Sequence, residues 1–166
     1  MAPLARRERA DFFQDGDSAM RYHGRMETLI TTRQTIYPAV RYLEAHAAID
    51  WLERAFGAER HVVYDTPDGK VAHAQVRVAG NLVMLGDNQS SDYPVRSAQE
   101  TGVATGGFYI VLPDAAAVDA MHARAVAAGA RIHRELNDTD YGSHEFGALD
   151  LEGHPWSFGT YDPETA

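Results

Sequence analysis

His73, Gln75 and Arg77 alternate with Ala72, Ala74, Val76 and Val78 along Lys70–Val78. Successive side chains of a strand point to opposite faces. The alternation therefore predicts one face of small apolar residues under a helix layer and another carrying an imidazole, an amide and a guanidinium. That second face has the donors and acceptors to orient a small polar molecule. His73, with a reference pKa near 6.5, permits acid/base work without arguing for it; a hydrogen-bonded sheet histidine is the plainer reading. Arg77, near the strand end, reads as solvated or paired with an acid. The same parity puts Tyr37, Ala39 and Arg41, Leu82 and Met84, Tyr109 and Val111, and Ser157 on the polar face. Arg41, His73, Gln75 and Tyr109 are thus the candidate ligand-binding residues, with Tyr141 and His144 at the mouth beside Ser143. The eight histidines are scattered, and neither His46 nor His133 has a spacing partner, so no triad and no catalytic residue is assigned.

The elements that must position these residues occur twice. In the first half, Ile36–Tyr42 alternates as a strand, with Pro38 marking an edge or a start. Ala45–Phe56 switches to helical spacing through Ala48, Ile49, Leu52, Ala55 and Phe56, and Gly57 stops it. Arg60–Asp65 is a strand, Pro67-Asp68-Gly69 a turn, and Lys70–Val78 and Leu82–Asp87 form a hairpin around Ala79-Gly80-Asn81. In the second half Phe108–Leu112, an Ala-rich helix over Ala115–Ala128 ending at Gly129, Arg131–Leu136, and a closing hairpin of Glu145–Leu149 and Pro155–Thr160 repeat the order. The hairpins lie roughly seventy residues apart, the mark of a duplicated βαβββ module. Ile49-Asp50 recurs as Val118-Asp119, and Gly57-Ala58 as Gly129-Ala130. Asn88–Thr105 reads as a polar linker between modules spanning about 35–87 and 106–162. Asp150, Glu152 and Gly153 are turn residues, His154 and Trp156 turn and core. Asp50, Glu53, Arg54, His122 and Arg124 are read as the solvated helix faces.

Residues 1–34 do not share the pattern. Arg6, Arg7, Glu8, Arg9, Asp11, Asp15 and Asp17 crowd a stretch with little periodicity, which reads as a tail that Phe12 and Phe13 could anchor, and Met26 is a candidate functional start. A chain of 166 residues buries one sizeable core or two half-domains sharing one. The formal net charge of −9 argues against a nucleic-acid or anionic-membrane surface. The absence of cysteine excludes disulfides, thiolate nucleophiles and zinc–thiolate sites. With no membrane-length apolar run and no signal-peptide pattern, the expected location is the cytoplasm.

Three runs carry a resemblance: AIDWLERAFGAE at Ala48–Glu59, GKVAHAQVRVAG at Gly69–Gly80 and EFGALDLEGHPWSFGTYDP at Glu145–Pro163. Together with the paired βαβββ order, they resemble the glyoxalase/bleomycin-resistance/extradiol dioxygenase, or vicinal oxygen chelate, superfamily over residues 35–162. The resemblance implies an α+β fold with a curved, mostly antiparallel eight-stranded sheet around a cleft, helices on the outer face and frequent dimerisation. In the enzymes it also implies a divalent metal held by His or Glu from the opening and closing strands of each module.

By the register above, those metal positions are Tyr37, Met84, Gly107 and Ser157 in this chain, none a good ligand. A slip of one residue offers Pro38, Ala39, Val83, Phe108, Trp156 and Phe158, which are no better. The expectation is a homodimer without metal or other cofactor, binding a metabolite or drug-like molecule in its cleft. The alternatives are a metal-dependent lyase, isomerase or dioxygenase of the same superfamily, and a structural dimer whose cleft is filled by its own side chains.

Overall fold

Helix α1, Ala45–Phe56, follows strand β1, Ala39–Tyr42, and buries Ala45, Ala48, Ile49, Trp51, Leu52, Ala55 and Phe56. Its start lacks a local cap, since the Glu44 side chain makes none. The unpaired N–H groups of a helix start still need acceptors, and distant acids supply them. Asp87 Oδ1 accepts from the Ala45 N–H at 2.9 Å, and both Glu152 oxygens accept from the Leu43 N–H at 2.9 and 2.7 Å. Gly57, at φ 65°, closes the other end, and the Ala58 N–H returns to the Leu52 carbonyl at 3.2 Å.

The computed structural model describes residues 34–88 and 93–165. All but Gln34 of the expected tail, including Phe12, Phe13 and Met26, lies outside the described residues. The remaining strands of the first module are β2, Glu59–Asp65; β3, Val71–Val78; and β4, Asn81–Asp87. The second module comprises β5, Phe108–Val111; helix α3, Ala115–Ala127; β6, Arg131–Asp138; β7, His144–Leu149; and β8, Pro155–Gly159. Its helix is capped locally, with Asp114 accepting from the Ala117 N–H at 2.8 Å.

Each module is a four-stranded mixed sheet with its closing strand inside. The orders are β1-β4-β3-β2 and β5-β8-β7-β6, with β1 parallel to β4 and β5 parallel to β8, and antiparallel pairing elsewhere. The α+β class and the paired βαβββ modules stand as expected. The eight strands are parted into two sheets, and among the described residues no ladder joins them. The segment read as a linker is more than that: Ser97 is buried and caps a short helix α2, Ala98–Thr101, by accepting from the Gln99 N–H.

One core serves both modules. Phe56 of α1 lies 5.3 Å from Trp156 and 4.9 Å from Phe158, ring centre to ring centre, and Phe146 stacks on Phe158 at 5.2 Å. Burial of each such ring contributes about 1.5–3 kcal/mol. Between the helices, the Trp51 indole N–H donates to the Ala128 carbonyl at 3.0 Å, and Arg124 donates to the Arg54 carbonyl at 2.9 Å.

Two assignments of face are corrected. On β3 the buried residues are Val71, Ala74, Val76 and Val78, with Ala72 only half-buried. The pairing with β2 slips between Tyr64↔His73 and Asp65↔Val71, so Ala72 is an extra residue that reverses the parity of the strand's first turn. His122, read as solvated, instead lies edge-on to Phe146 at 5.0 Å with its Nε2 buried. The acids of the closing turn are also buried: Asp150 and Glu152 are each 6% exposed.

Candidate functional site

The faces opposite the helices carry the polar residues. On the first module, Arg41 lies along β4 so closely that a Cβ on Gly86 would come within 2.6 Å of its Nη1. That nitrogen donates to the Asp87 carbonyl at 3.2 Å, and the guanidinium sits 5.5 Å from the centre of the Tyr93 ring. Gln75 Nε2 and His73 Nε2 are 3.1 Å apart. An amide nitrogen is only a donor, so in this arrangement His73 Nε2 is the acceptor. Tyr64 stacks on His73 from β2 at 6.3 Å. Ala39, Arg41, His73, Met84 and Tyr93 line a cavity of about 230 Å³ here. Arg77 turns away to its own hairpin, donating to the Gly80 carbonyl at 2.7 Å.

On the second module the corresponding face is built over a buried acid. Glu145, on β7, is 1% exposed, and its Oε1 accepts from the Tyr141 hydroxyl at 2.8 Å and pairs with Arg134 Nη1 at 2.7 Å. Arg134 also donates to Ser157 Oγ of β8 at 3.2 Å. Ser143, buried, accepts from the Tyr161 N–H at 3.2 Å and lies 3.5 Å from the Tyr109 hydroxyl. Two glycines keep the floor low: a Cβ on Gly159 would meet the Tyr109 hydroxyl at 2.5 Å, and one on Gly147 would meet the His133 ring at 2.6 Å. Hydrogen bonding to Glu145 raises the pKa of Tyr141, so its phenol stays a donor.

The candidate residues thus fall into separate groups. Arg41, His73 and Gln75 share the first module's face, and Tyr109 and Tyr141 share the second's. No hydrogen bond or ring contact among the described residues joins the two groups. His144 stands apart from both, its ring held by Asp138 of β6 at 2.7 Å and by Asp119 of α3 at 2.9 Å. These two carboxylates, Asp119 foremost, raise its pKa. His154 Nε2 contacts the Arg41 carbonyl at 2.9 Å, tying the closing turn to β1. Sequence reasoning missed Glu145, Arg134 and Tyr161. The signal for Glu145 was present: Phe146 and Ala148 belong to the core, so parity along β7 sends Glu145 and Gly147 to the polar face.

The sequence profile of the glyoxalase/bleomycin resistance protein/dioxygenase superfamily matches residues 37–158. The chain belongs to that superfamily. An uncharacterized protein of Mycobacterium bovis is 32% identical over 134 residues, covering 78% of this chain and 85% of that protein. Among solved structures, TioX from Micromonospora sp. ML1 is 30% identical with a TM-score of 0.59, covering 76% of this chain and 94% of TioX. A glyoxalase I mutant from Zea mays shares the fold at 21% identity and a TM-score of 0.58, over 75% of this chain and 44% of that one. A FosX mutant from Listeria monocytogenes, complexed with Mn(II) and a dihydroxypropylphosphonic acid, shares it at 15% identity and a TM-score of 0.51, over 80% of this chain and 93% of that one.

A superfamily metal would need donors from the opening and closing strands. The pairing sets Ala39 opposite Met84 and Tyr109 opposite Ser157, with Tyr37 and Gly107 two residues earlier in the chain. A methyl group, a thioether, a phenol and a hydroxyl do not fit a hard divalent ion. Glu145, the nearby carboxylate on β7, is already engaged by Arg134 and Tyr141. No group of three His, Asp or Glu among the described residues is arranged to hold one either. No helix of the described residues is long and apolar enough to cross a membrane.

Proposed function

We propose that this superfamily member binds a small organic molecule against the polar faces of its sheets, without the superfamily's divalent metal. Arg41, His73, Gln75 and Tyr109 line the site, and Tyr141 borders it. The observation that carries this reading is the buried Glu145, held by Arg134 and Tyr141 on a face that also presents Tyr109, Ser143 and Ser157. Burying a carboxylate is costly without partners, and whereas the buried Asp87 and Glu152 take backbone N–H groups at the start of α1, Glu145 is held by the side chains of Tyr141 and Arg134. The half-buried His73–Gln75 pair on the other module supports the same reading, as does the unsuitable donor set at Ala39, Met84, Tyr109 and Ser157.

No hydrogen bond or ring contact among the described residues joins the two faces, so the site in this reading is assembled in a homodimer. A second copy sets one chain's Arg41, His73 and Gln75 against the other's Tyr109 and Tyr141. The exposed edge of β2 favours such pairing.

A compound screen read by tyrosine fluorescence, run beside metal analysis of protein purified without chelator, tests the proposal. The expected result is a hit whose affinity is unchanged by chelator. Retention of about one equivalent of metal, with binding lost on its removal, would instead favour a metal-dependent lyase, isomerase or dioxygenase. Light scattering should give twice the 18.3 kDa chain mass, and a monomer at micromolar concentration would overturn the shared site.

A further inference from the structure

Arg41 is half-buried on β1 and lines the cavity of about 230 Å³ on the first module's face together with His73, Met84 and Tyr93. A guanidinium carries five N–H donors and no acceptor. Among the described residues this one makes a single hydrogen bond, from Nη1 to the Asp87 carbonyl at 3.2 Å, and no ion pair. The Asp87 carboxylate does not serve it, because Oδ1 takes the Ala45 N–H and Oδ2 the Val71 N–H. Other arginines of the chain are matched to acids, Arg60 to Asp50 and Glu53, and Arg134 to Glu145.

The surroundings hold the Arg41 side chain in place. Gly86 lies outside the left-handed region, and a Cβ there would come within 2.6 Å of Nη1, so the glycine yields the space in which the guanidinium crosses β4. The Tyr93 ring flanks the guanidinium at 5.5 Å. Arg96 Nη1 in turn donates to the Tyr93 and Val95 carbonyls at 2.7 and 3.0 Å, and among the described residues it has no ion pair either. Arg96 lines a neighbouring cavity of about 530 Å³ that shares Ala39 and Val40 with the first. Two guanidiniums without acids thus flank Tyr93 in a chain whose net charge is −9. A partly desolvated guanidinium left without a carboxylate forgoes the strongest hydrogen bonds it can make. The negative charge of the chain as a whole opposes an anion here only weakly, since exposed charges beyond about 8 Å are largely screened at physiological salt.

We propose that the ligand is an organic acid, its carboxylate on the Arg41 guanidinium and its apolar part against Met84 and Tyr93. This inference rests on the small-molecule reading above and narrows it to one ligand class. The planar fork of N–H groups matches the two oxygens of a carboxylate. A phosphate dianion would call for further donors, whereas beyond Arg41, His73 and Tyr93 the cavity is walled by Ala39, Val40, Met84 and Leu85. A neutral compound would fill the same space but draw nothing from the charge.

The full chain should be titrated with benzoate, with its uncharged counterpart benzamide and with phenyl phosphate, while the Tyr93 and His73 ring resonances are followed by NMR. Benzoate is expected to shift both signals and to bind at least about tenfold more tightly than benzamide. Arg41→Met should weaken benzoate about tenfold or more and leave benzamide within about threefold. Arg41→Gln, which keeps a donor for the Asp87 carbonyl, provides the same test where the methionine variant disturbs folding. Equal binding of benzoate and benzamide, or undiminished benzoate binding by the Arg41 variants, would overturn the inference. Tighter binding of phenyl phosphate than of benzoate would overturn the choice of a carboxylate. If none of the three moves either signal, the acid inference fails. The small-molecule reading then stands on a neutral or cationic hit from the compound screen, and without such a hit it fails as well.

Discussion

The Tyr42 hydroxyl donates to Asp150 Oδ2 at 2.6 Å across 108 residues of sequence, joining the end of the first module's opening strand to the second module's closing turn. Asp150 is then fully committed, because Trp156 Nε1 reaches the same oxygen at 3.1 Å and the Glu152 and His154 N–H groups reach Oδ1. A carboxylate taken out of water is tolerated when donors surround it, and here the donors come from both modules. Beside it, Glu152 accepts from the Leu43 and Glu44 N–H groups and from the Ser97 hydroxyl, so the connection between the modules is bound into the same network.

Tyr42→Phe removes one of those donors while preserving shape, and should destabilise the fold by about 1–3 kcal/mol. It should also change the alkaline limb of stability. Burial, then the Asp150 charge, raises the Tyr42 pKa well above its usual value. The unfolded chain therefore ionises this phenol first, and the associated stability, complete below about pH 10, is lost as pH rises beyond it. Thermal denaturation of both proteins across that range checks the claim: the variant should show the shallower alkaline decline. Parallel curves would contradict it.

His144 gives the opposite fold region its own pH dependence. Hydrogen bonds to Asp119 and then Asp138 raise its pKa, so the native state binds the proton more tightly than the unfolded chain. The stabilisation is complete below the unfolded value of about 6.5 and disappears as pH rises through the higher folded value. His144→Gln should therefore lower the melting temperature more at about pH 5.5 than at about pH 8.5. A pH-independent difference would mean that the ring acts by packing alone.

Much of this architecture was legible because it depends on local rules. Helical spacing from Ala45 to Phe56, the Gly57 and Gly129 stops, and the hairpin turns at Gly80 and Gly153 each declare themselves within a few residues. Parity also put His73 and Gln75 on the correct face. It failed at Ala72, where a single inserted residue reverses the alternation and no residue type announces the insertion. The buried acids were illegible for a different reason: Asp150 and Glu152 have the composition of an exposed turn, and their burial is completed by Tyr42 and Leu43, more than a hundred residues away in sequence. His144 was misplaced relative to the tyrosines because its neighbours Asp119 and Asp138 come together only when α3 packs on the second sheet.

The low floor under Tyr109 makes Gly159 sensitive to a single methyl group. A Cβ there would lie 2.9 Å from Glu145 Cβ and 3.0 Å from Ser143 Oγ, besides meeting the Tyr109 hydroxyl. Gly159 lies in β8, outside the left-handed region, so the backbone accepts alanine and the effect is purely steric. The flexible phenol yields first, whereas the Glu145 and Ser143 atoms are held near the backbone. Gly159→Ala should cost about 1–3 kcal/mol and displace Tyr109, which NMR of the ring would register. An unmoved Tyr109 would show that the sheet relaxes instead.

The first module's face is tested by replacing His73 and Gln75 together. Their hydrogen bond is to each other, Tyr64 covers only one side of the imidazole, and neither side chain belongs to the core shared by the helices. Removing both leaves no buried donor or acceptor without its partner, the circumstance in which deletion costs most. The double alanine variant should therefore retain stability within about 1 kcal/mol of the parent. Any compound held by this face should bind it about tenfold or more weakly. Denaturant titration and isothermal calorimetry on the same preparation separate the outcomes. Weakened binding with stability retained assigns the pair to ligand contact. Undiminished binding moves the site away from β3. Loss of the fold makes His73 and Gln75 structural, with Tyr64 and the imidazole holding the β2–β3 pair together where Ala72 interrupts its register.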